Sequence, residues 1–354
     1  MKIKSVKVYR KNLFLKKPYT IAYETISSGE NIFLEINLEN GMYGIGAANP
    51  SFEVVGETPE QTFQNLNSDF FQKFAGKNIC LFNQLIDETK NQFPNLPGTQ
   101  AAVDIALHDA FCKFLNISVV DFYGRKINSL PTSVTIGIKN VEETLLDAES
   151  YAQKGFQVIK VKIGLNVEED IERIIKLREK FSNRLKIRVD ANQGYNFKKL
   201  KFFLDKTKHA NIELIEQPLK AGNEKELLKF DFETRKYFTA DESLKNAETA
   251  LQFTAEKFFG IYNIKLMKCG GIKSALEIAS IAKHADIELF WGCNDESIVS
   301  ISAALHAAFA CANTKYIDLD GSFDLAEDIV KGGFILEDGY MHPNGLPGLG
   351  VNKM

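Results

Sequence analysis

VIKVKIG, residues 158–164, sets two lysines one residue apart inside an otherwise apolar run. Flanked by Val158, Ile159, Val161 and Ile163, the run reads as a short buried strand. Residues i and i+2 of a strand face the same way, so Lys160 and Lys162 point together. Seven more runs of this kind lie on either side: TSVTIGI, KIRVDAN, IELIEQP, FTADES, IYNIKLM, IELFWGC and KYIDLDG. Their ends, at residues 135, 162, 190, 216, 241, 265, 293 and 320, fall 24 to 28 residues apart, with helical stretches between. A strand, a helix and two loops need about that many, since a βαβ unit takes roughly 30 residues. Eight repeats predict an α/β fold closed into a (β/α) barrel rather than an open sheet.

Before residue 130 the pattern differs. KIKSVKVYR alternates like a half-buried strand, and NIFLEINLENGMYGIGAA reads as two strands joined by Asn40-Gly41 in a type I′ turn. Gly44 and Gly46 then lie in a strand, which argues against a nucleotide-binding loop. Thr58 is placed to cap a helix with Pro59 at its first position. GTQAAVDIALHDAFCKFL spaces Ala102, Ile105, Ala106, Asp109 and Cys112 along one helical face. The tail GYMHPNGLPGLGVNKM is rich in Gly and Pro, and its expected course is back to the N-terminal part.

Composition excludes several classes. The 354 residues are 45% hydrophobic and 25% charged, ordinary for a globular chain. A formal net charge of −3 gives no basic field for nucleic acid or an anionic membrane. No segment reads as a signal peptide or a bilayer span. Five cysteines without a CxxC read as reduced thiols of a cytoplasmic protein. The five histidines show no metal-ligand spacing.

In a barrel the C-terminal strand ends carry the chemistry. Here they hold Lys160 and Lys162, Asp190, Glu216, Asp241, Lys265, and the pair Asp318 and Asp320. Two adjacent ammonium groups disfavour each other's charge, which prepares one lysine to act as a base. Asp190, Glu216 and Asp241 come from consecutive repeats and should converge. Three anions together need a cation, and oxygen ligands without His or Cys select Mg²⁺, with Mn²⁺ as substitute. Lys162 and Lys265, on the second and sixth runs, should face each other across the mouth. Two bases on opposite sides of one carbon suit racemisation or epimerisation, the metal binding a carboxylate and stabilising the enediolate left when the α-proton departs.

KVK at 160–162, DAN at 190, EQP at 216, ADES at 240 and NIKLMKCGG at 263 resemble, in order, the motifs of the enolase superfamily. The likeness is to its muconate-lactonising subgroup and, within that, to the dipeptide epimerases. AAVDIALHDA and GLPGLG resemble the same family's N-terminal helix and tail. The resemblance implies a modified TIM barrel, (β/α)7β, with an α+β capping domain made by the N-terminal region and the C-terminal tail. Its expected limits are 1–125 for the cap, with a specificity loop near 19–30, 126–325 for the barrel and 326–354 for the returning segment. It also implies one Mg²⁺ per subunit on Asp190, Glu216 and Asp241, Lys162 and Lys265 as the acid/base pair, and Lys160 assisting.

Several members of that subgroup share this set, and the Asp-x-Asp of DLDG is what discriminates. Asp318 and Asp320 face one way and could hold an α-ammonium group, which N-acylated amino acids lack. The expected activity is therefore epimerisation of the C-terminal residue of L-Ala-L-Xaa dipeptides. Epimerases for Ala-Glu carry an arginine in the specificity loop where this chain has Tyr23, and TIAYETISSGEN contains no Arg or Lys. That predicts a neutral or apolar Xaa, although Glu24 leaves a cationic one open. Thr135, Cys293 and Asp295 complete the expected substrate contacts. The alternatives are an N-succinylamino acid racemase or succinylbenzoate synthase, a Schiff-base aldolase, and a non-catalytic barrel. The only partner expected is a small dipeptide, without nucleic acid or membrane, and a homo-oligomer is compatible with the sequence.

Overall fold

The 24- to 28-residue period resolves into eight parallel strands in a computed structural model that describes residues 1–20 and 25–354. In chain order the barrel strands are Ser133–Ile136, Val158–Lys162, Lys186–Asp190, Ile212–Glu216, Phe238–Ala240, Ile261–Ile264, Glu288–Trp291 and Thr314–Ile317, each paired with the next. Helical segments follow the first seven strands and none follows the eighth, the (β/α)7β pattern. The helices start where the sequence provides caps. Asn140, Asn166, Asn196 and Asn246 each accept a backbone N–H from the first turn with their side chains. In Val167–Phe181 the buried residues Val167, Ile171, Ile174, Leu177 and Phe181 form the stripe that packs on the barrel.

The N-terminal part is an antiparallel sheet of Ile3–Thr20, Thr25–Leu38 and Tyr43–Ala48. The hairpin at Asn40-Gly41 forms, but not with the expected turn. Gly41 takes φ +85° while Asn40 keeps a negative φ, so the link is a longer loop rather than a type I′ turn. Gly44 and Gly46 serve close packing. A Cβ on Gly46 would lie 1.9 Å from the Ala102 carbonyl, and one on Gly44 would lie 2.3 Å from that of Ala106. The strand therefore rests directly on the helix Pro97–Phe114, which is buried on nearly every side rather than along one stripe. Thr58 caps its helix as expected, in a reciprocal capping box with Gln61.

The tail returns to this sheet. Val330–Gly332 pairs with Val351–Lys353, the Leu349 N–H donates to Asp109 Oδ1 at 2.8 Å, and Lys353 pairs with the buried Glu35. The end of the first strand crosses the barrel mouth, where Lys16 N–H donates to the Asp324 carbonyl at 2.7 Å and Leu15 bridges Leu325. Among the described residues no helix is long and apolar enough to cross a membrane.

Candidate active site

Each charged residue singled out in the strand runs sits at, or one residue past, the C-terminal end of its strand, apart from Lys160 two residues before it and Asp320 three beyond. Lys160, Lys162, Lys265, Thr135, Cys293, Asp295, Asp318 and Asp320 line one cavity of about 370 Å³. Tyr23 lies outside the described residues.

Asp190, Glu216 and Asp241 form the wall behind it and are at most 1% exposed. Lys162 Nζ donates to Asp190 Oδ2 at 2.7 Å and to Asn192 Oδ1 at 3.0 Å. Lys265 Nζ lies 2.9 Å from Asp241 Oδ2. Lys160 reaches three carboxylates: Asp318 most closely, Glu216 at 3.4 Å and Asp190 at 3.8 Å. The two lysines of the opening run thus share Asp190, as their strand phase required.

Their mutual repulsion does not dominate, however. Burial opposes the charge on Lys160, yet Asp318, Glu216 and Asp190 hold its ammonium well above the ordinary lysine range. Lys265 is likewise raised against burial by Asp241 and Glu216. The expectation of a lysine discharged by its twin fails for Lys160, because three carboxylates surround it and outweigh the second ammonium.

Sequence reasoning missed Lys268. It is buried and donates to Asp241 Oδ1 at 2.5 Å and to the Asn263 carbonyl at 3.0 Å. Burial alone would raise the Asp241 carboxyl, but Lys265 and Lys268 hold it well below the usual range. The available signal was the second lysine of NIKLMKCGG, three residues after Lys265 on the short helix Leu266–Cys269. Asn263 was also missed; its amide donates to Glu216 Oε1 at 2.5 Å.

The donor set suits a hard cation. It offers carboxylate oxygens alone, on three adjacent strands, with no soft ligand beside them. Burial and then the Asp190 charge push the Glu216 carboxyl up to about 8, the behaviour of an anion short of positive charge. Among the described residues no three His, Cys, Asp or Glu side chains stand ready as a metal cage. Lysines hold the relevant oxygens instead, and a cation would take their place at those oxygens.

Fold and strand-end residues together define a class. Residues 3–124 match the mandelate racemase / muconate lactonizing enzyme N-terminal domain and residues 143–353 the enolase C-terminal domain-like family, so the chain belongs to the enolase superfamily. It is an isomerase of the racemase and epimerase kind. It is 50% identical over 355 residues, all of both chains, to an L-Lys-D/L-Arg epimerase of Desulforapulum autotrophicum. A hydrophobic dipeptide epimerase of Enterococcus faecalis is 33% identical, with 95% of each chain covered. Among solved structures, a dipeptide epimerase of Methylococcus capsulatus complexed with Mg and L-Arg-D-Lys superposes with a TM-score of 0.97 at 44% identity, covering 99% of each chain.

Proposed function

We propose that this protein is a Mg²⁺-dependent dipeptide epimerase that inverts the α-carbon of the C-terminal residue of cationic dipeptides such as L-Lys-L-Arg. Asp190, Glu216 and Asp241 would hold the ion, which supplies positive charge for the substrate carboxylate and for the charge that develops there as the α-proton leaves. Lys162 ends the second barrel strand and Lys265 follows the sixth, four strands apart in a ring of eight, which supports an approach from opposite sides of the mouth. One takes the α-proton and the other returns a proton to the far face, so the configuration inverts. Lys160, which keeps Asp318 as its nearest carboxylate, assists by donating to the substrate carboxylate.

The observation that carries the substrate reading is the cluster of aspartates on one side of the cavity. Asp295, Asp318, Asp320 and Asp324 line it alongside Lys16 and Lys154, while Asp147 is already paired with Lys139 at 2.5 Å. Burial and then the neighbouring Asp318 push the Asp320 carboxyl up to about 7, so its charged form gains from a bound cation. The Asp318–Asp320 pair takes the α-ammonium, and Thr135, Cys293 and Asp295 shape the cavity around the two side chains. Two relatives that match along almost their whole length, at 50% and 44% identity, are named L-Lys-D/L-Arg epimerases, which supports this reading.

The second reading is the Ala-Xaa dipeptide with a neutral or apolar Xaa. It rests on the absence of Arg and Lys from TIAYETISSGEN, a segment that includes Tyr23. A single panel decides between them: L-Lys-L-Arg, L-Ala-L-Leu, L-Ala-L-Glu and N-succinyl-L-Arg, incubated in D₂O with Mg²⁺ and read by mass for deuterium uptake. L-Lys-L-Arg should exchange fastest. Preference for Ala-Leu would establish the apolar reading, and preference for the succinyl compound would replace both with a racemase. EDTA should abolish exchange and Mg²⁺ restore it.

A further inference from the structure

The eight strands run in order around one sheet, yet among the described residues the last and the first share no ladder. A single bridge between Thr132 and Ile317 joins them. Side chains close the rest of this seam. Thr132 Oγ1 accepts the Leu319 N–H at 3.0 Å, and the Thr135 N–H donates to Asp320 Oδ2 at 2.7 Å. The Ser133 hydroxyl donates to Asp318 Oδ1 at 2.5 Å. From the third strand, Arg188 Nη1 donates to Ser133 Oγ at 3.2 Å and to the Ile317 carbonyl at 2.8 Å. Both aspartates of DLDG are therefore held from the first strand, one by a side chain and one by the main chain.

The direction of the Ser133 proton follows from its neighbours. A guanidinium can only donate, so Ser133 Oγ accepts from Arg188 and has one proton left to give. The other acceptor near it, the Ile317 carbonyl, is 3.5 Å away against 2.5 Å for Asp318 Oδ1, and it is uncharged. The proton goes to Asp318. That bond fixes the plane of a carboxylate whose own terminal torsion is soft. Without it, Asp318 would be held by Lys160 alone and would turn toward that ammonium. Arg188 is itself fixed, with Nε 3.0 Å from Glu213 and the guanidinium 5.4 Å and 5.1 Å from the Phe290 and Tyr316 ring centroids. Neither Ser133 nor Arg188 lines the cavity, and both are buried beneath it.

We propose that Ser133 and Arg188 are positioning residues for amine recognition: through Asp318 they set how sharply the enzyme tells a free α-ammonium from an acylated nitrogen. This rests on the reading that Asp318 and Asp320 receive that ammonium.

Ser133→Ala is the decisive variant, since it removes one oxygen and leaves the buried charges paired. With L-Lys-L-Arg, kcat/KM should fall about tenfold, mostly through KM, because the lost interaction serves binding rather than the proton transfer. Exchange of the Nα-acetyl dipeptide should stay as in the parent, and the variant should remain folded at the assay temperature although its melting temperature drops with the lost buried bond. Ser133→Thr, which keeps the hydroxyl, should restore discrimination, and Arg188→Lys should lower it by an intermediate amount. A crystal structure of Ser133→Ala should show the Asp318 carboxylate rotated toward Lys160. Equal losses for free and acetylated dipeptides, or an Asp318 that keeps its place, would overturn the proposal. If the parent enzyme exchanges neither dipeptide, the substrate reading has failed, and the position of Asp318 still decides whether Ser133 sets it.

Discussion

At the scale of single residues, charge inside apolar strands was the legible signal. Lys162, Asp190, Glu216, Asp241 and Lys265 could be named from sequence because burying each unpaired would cost several kcal/mol. What each faced could not be named, since partners come from strands far apart in the chain. Lys268 stayed hidden because a lysine three residues along a helix ordinarily reads as a solvated face. It is one of two ammonium groups neutralising Asp241, so Lys268→Met should lower unfolding stability by about 1.5–3 kcal/mol, the effect of losing a buried hydrogen bond to a charged group while Lys265 still pairs with Asp241. A urea titration unchanged by the substitution would refute this partnership. The two-base reading gives a sharper test. Lys265→Ala should stop epimerisation while the variant still exchanges the α-proton of one epimer in D₂O, because Lys162 remains. Epimerisation at the parent rate would exclude the mechanism.

Among elements, the strands and caps were readable and the surroundings of the central helix were not. The spacing of Ala102, Ile105, Ala106 and Asp109 marked one face of Pro97–Phe114, but strand glycines press on this helix and other helices cover its remaining sides. Its N-terminus is held by Glu57, a buried carboxylate that accepts the Gly98 and Thr99 N–H groups at 2.7 and 3.0 Å, with the hydroxyls of Thr62 and Thr99 also donating to it. Little local to Glu57 announces that role, since three of its four donors come from Gly98 and Thr99, about forty residues on. An anion at a helix N-terminus with four donors is strongly favoured. Glu57→Ala should cost about 3 kcal/mol of stability, measured by denaturant unfolding, while the barrel residues keep their arrangement. A loss below about 0.5 kcal/mol would mean that solvent replaces the carboxylate without penalty.

The whole barrel was legible from its period and the return of the tail from its Gly- and Pro-rich composition, whereas the capping domain that joins them entered through family resemblance, because it depends on contacts between segments far apart in the chain. One such joint gives a pH signature. His306, on Ile298–Phe309, accepts the Val120 N–H at 3.0 Å, close to Asp121 and Arg125. Burial holds its imidazole down to about 4 from the ordinary 6.5. As pH falls below about 6.5 the unfolded chain takes up this proton first, so the stability contributed by the neutral ring declines until pH 4. The loss amounts to roughly 3 kcal/mol. His306→Gln, which keeps an acceptor but does not titrate, should flatten the stability profile between pH 6.5 and 4 relative to the parent. Parallel profiles would show that the ring has no such part.

The crossing of the first strand over the barrel mouth also governs how the chain must assemble. Residues 14–16 find their partners at 323–326, and the Lys16 ammonium reaches the Phe323 carbonyl across 307 positions of sequence. Lys353 meets Tyr43 across 310. A chain growing from its N-terminus makes these edges first and completes them last. Until the final strand and tail emerge, the seam at Ser133 stands open and the first strand keeps an unpaired end, an invitation to association with other chains. Contacts of such long range make closure slow. The mouth that holds the substrate takes shape only once residues 317–326 meet both the segment at 14–16 and the barrel strand at Ser133.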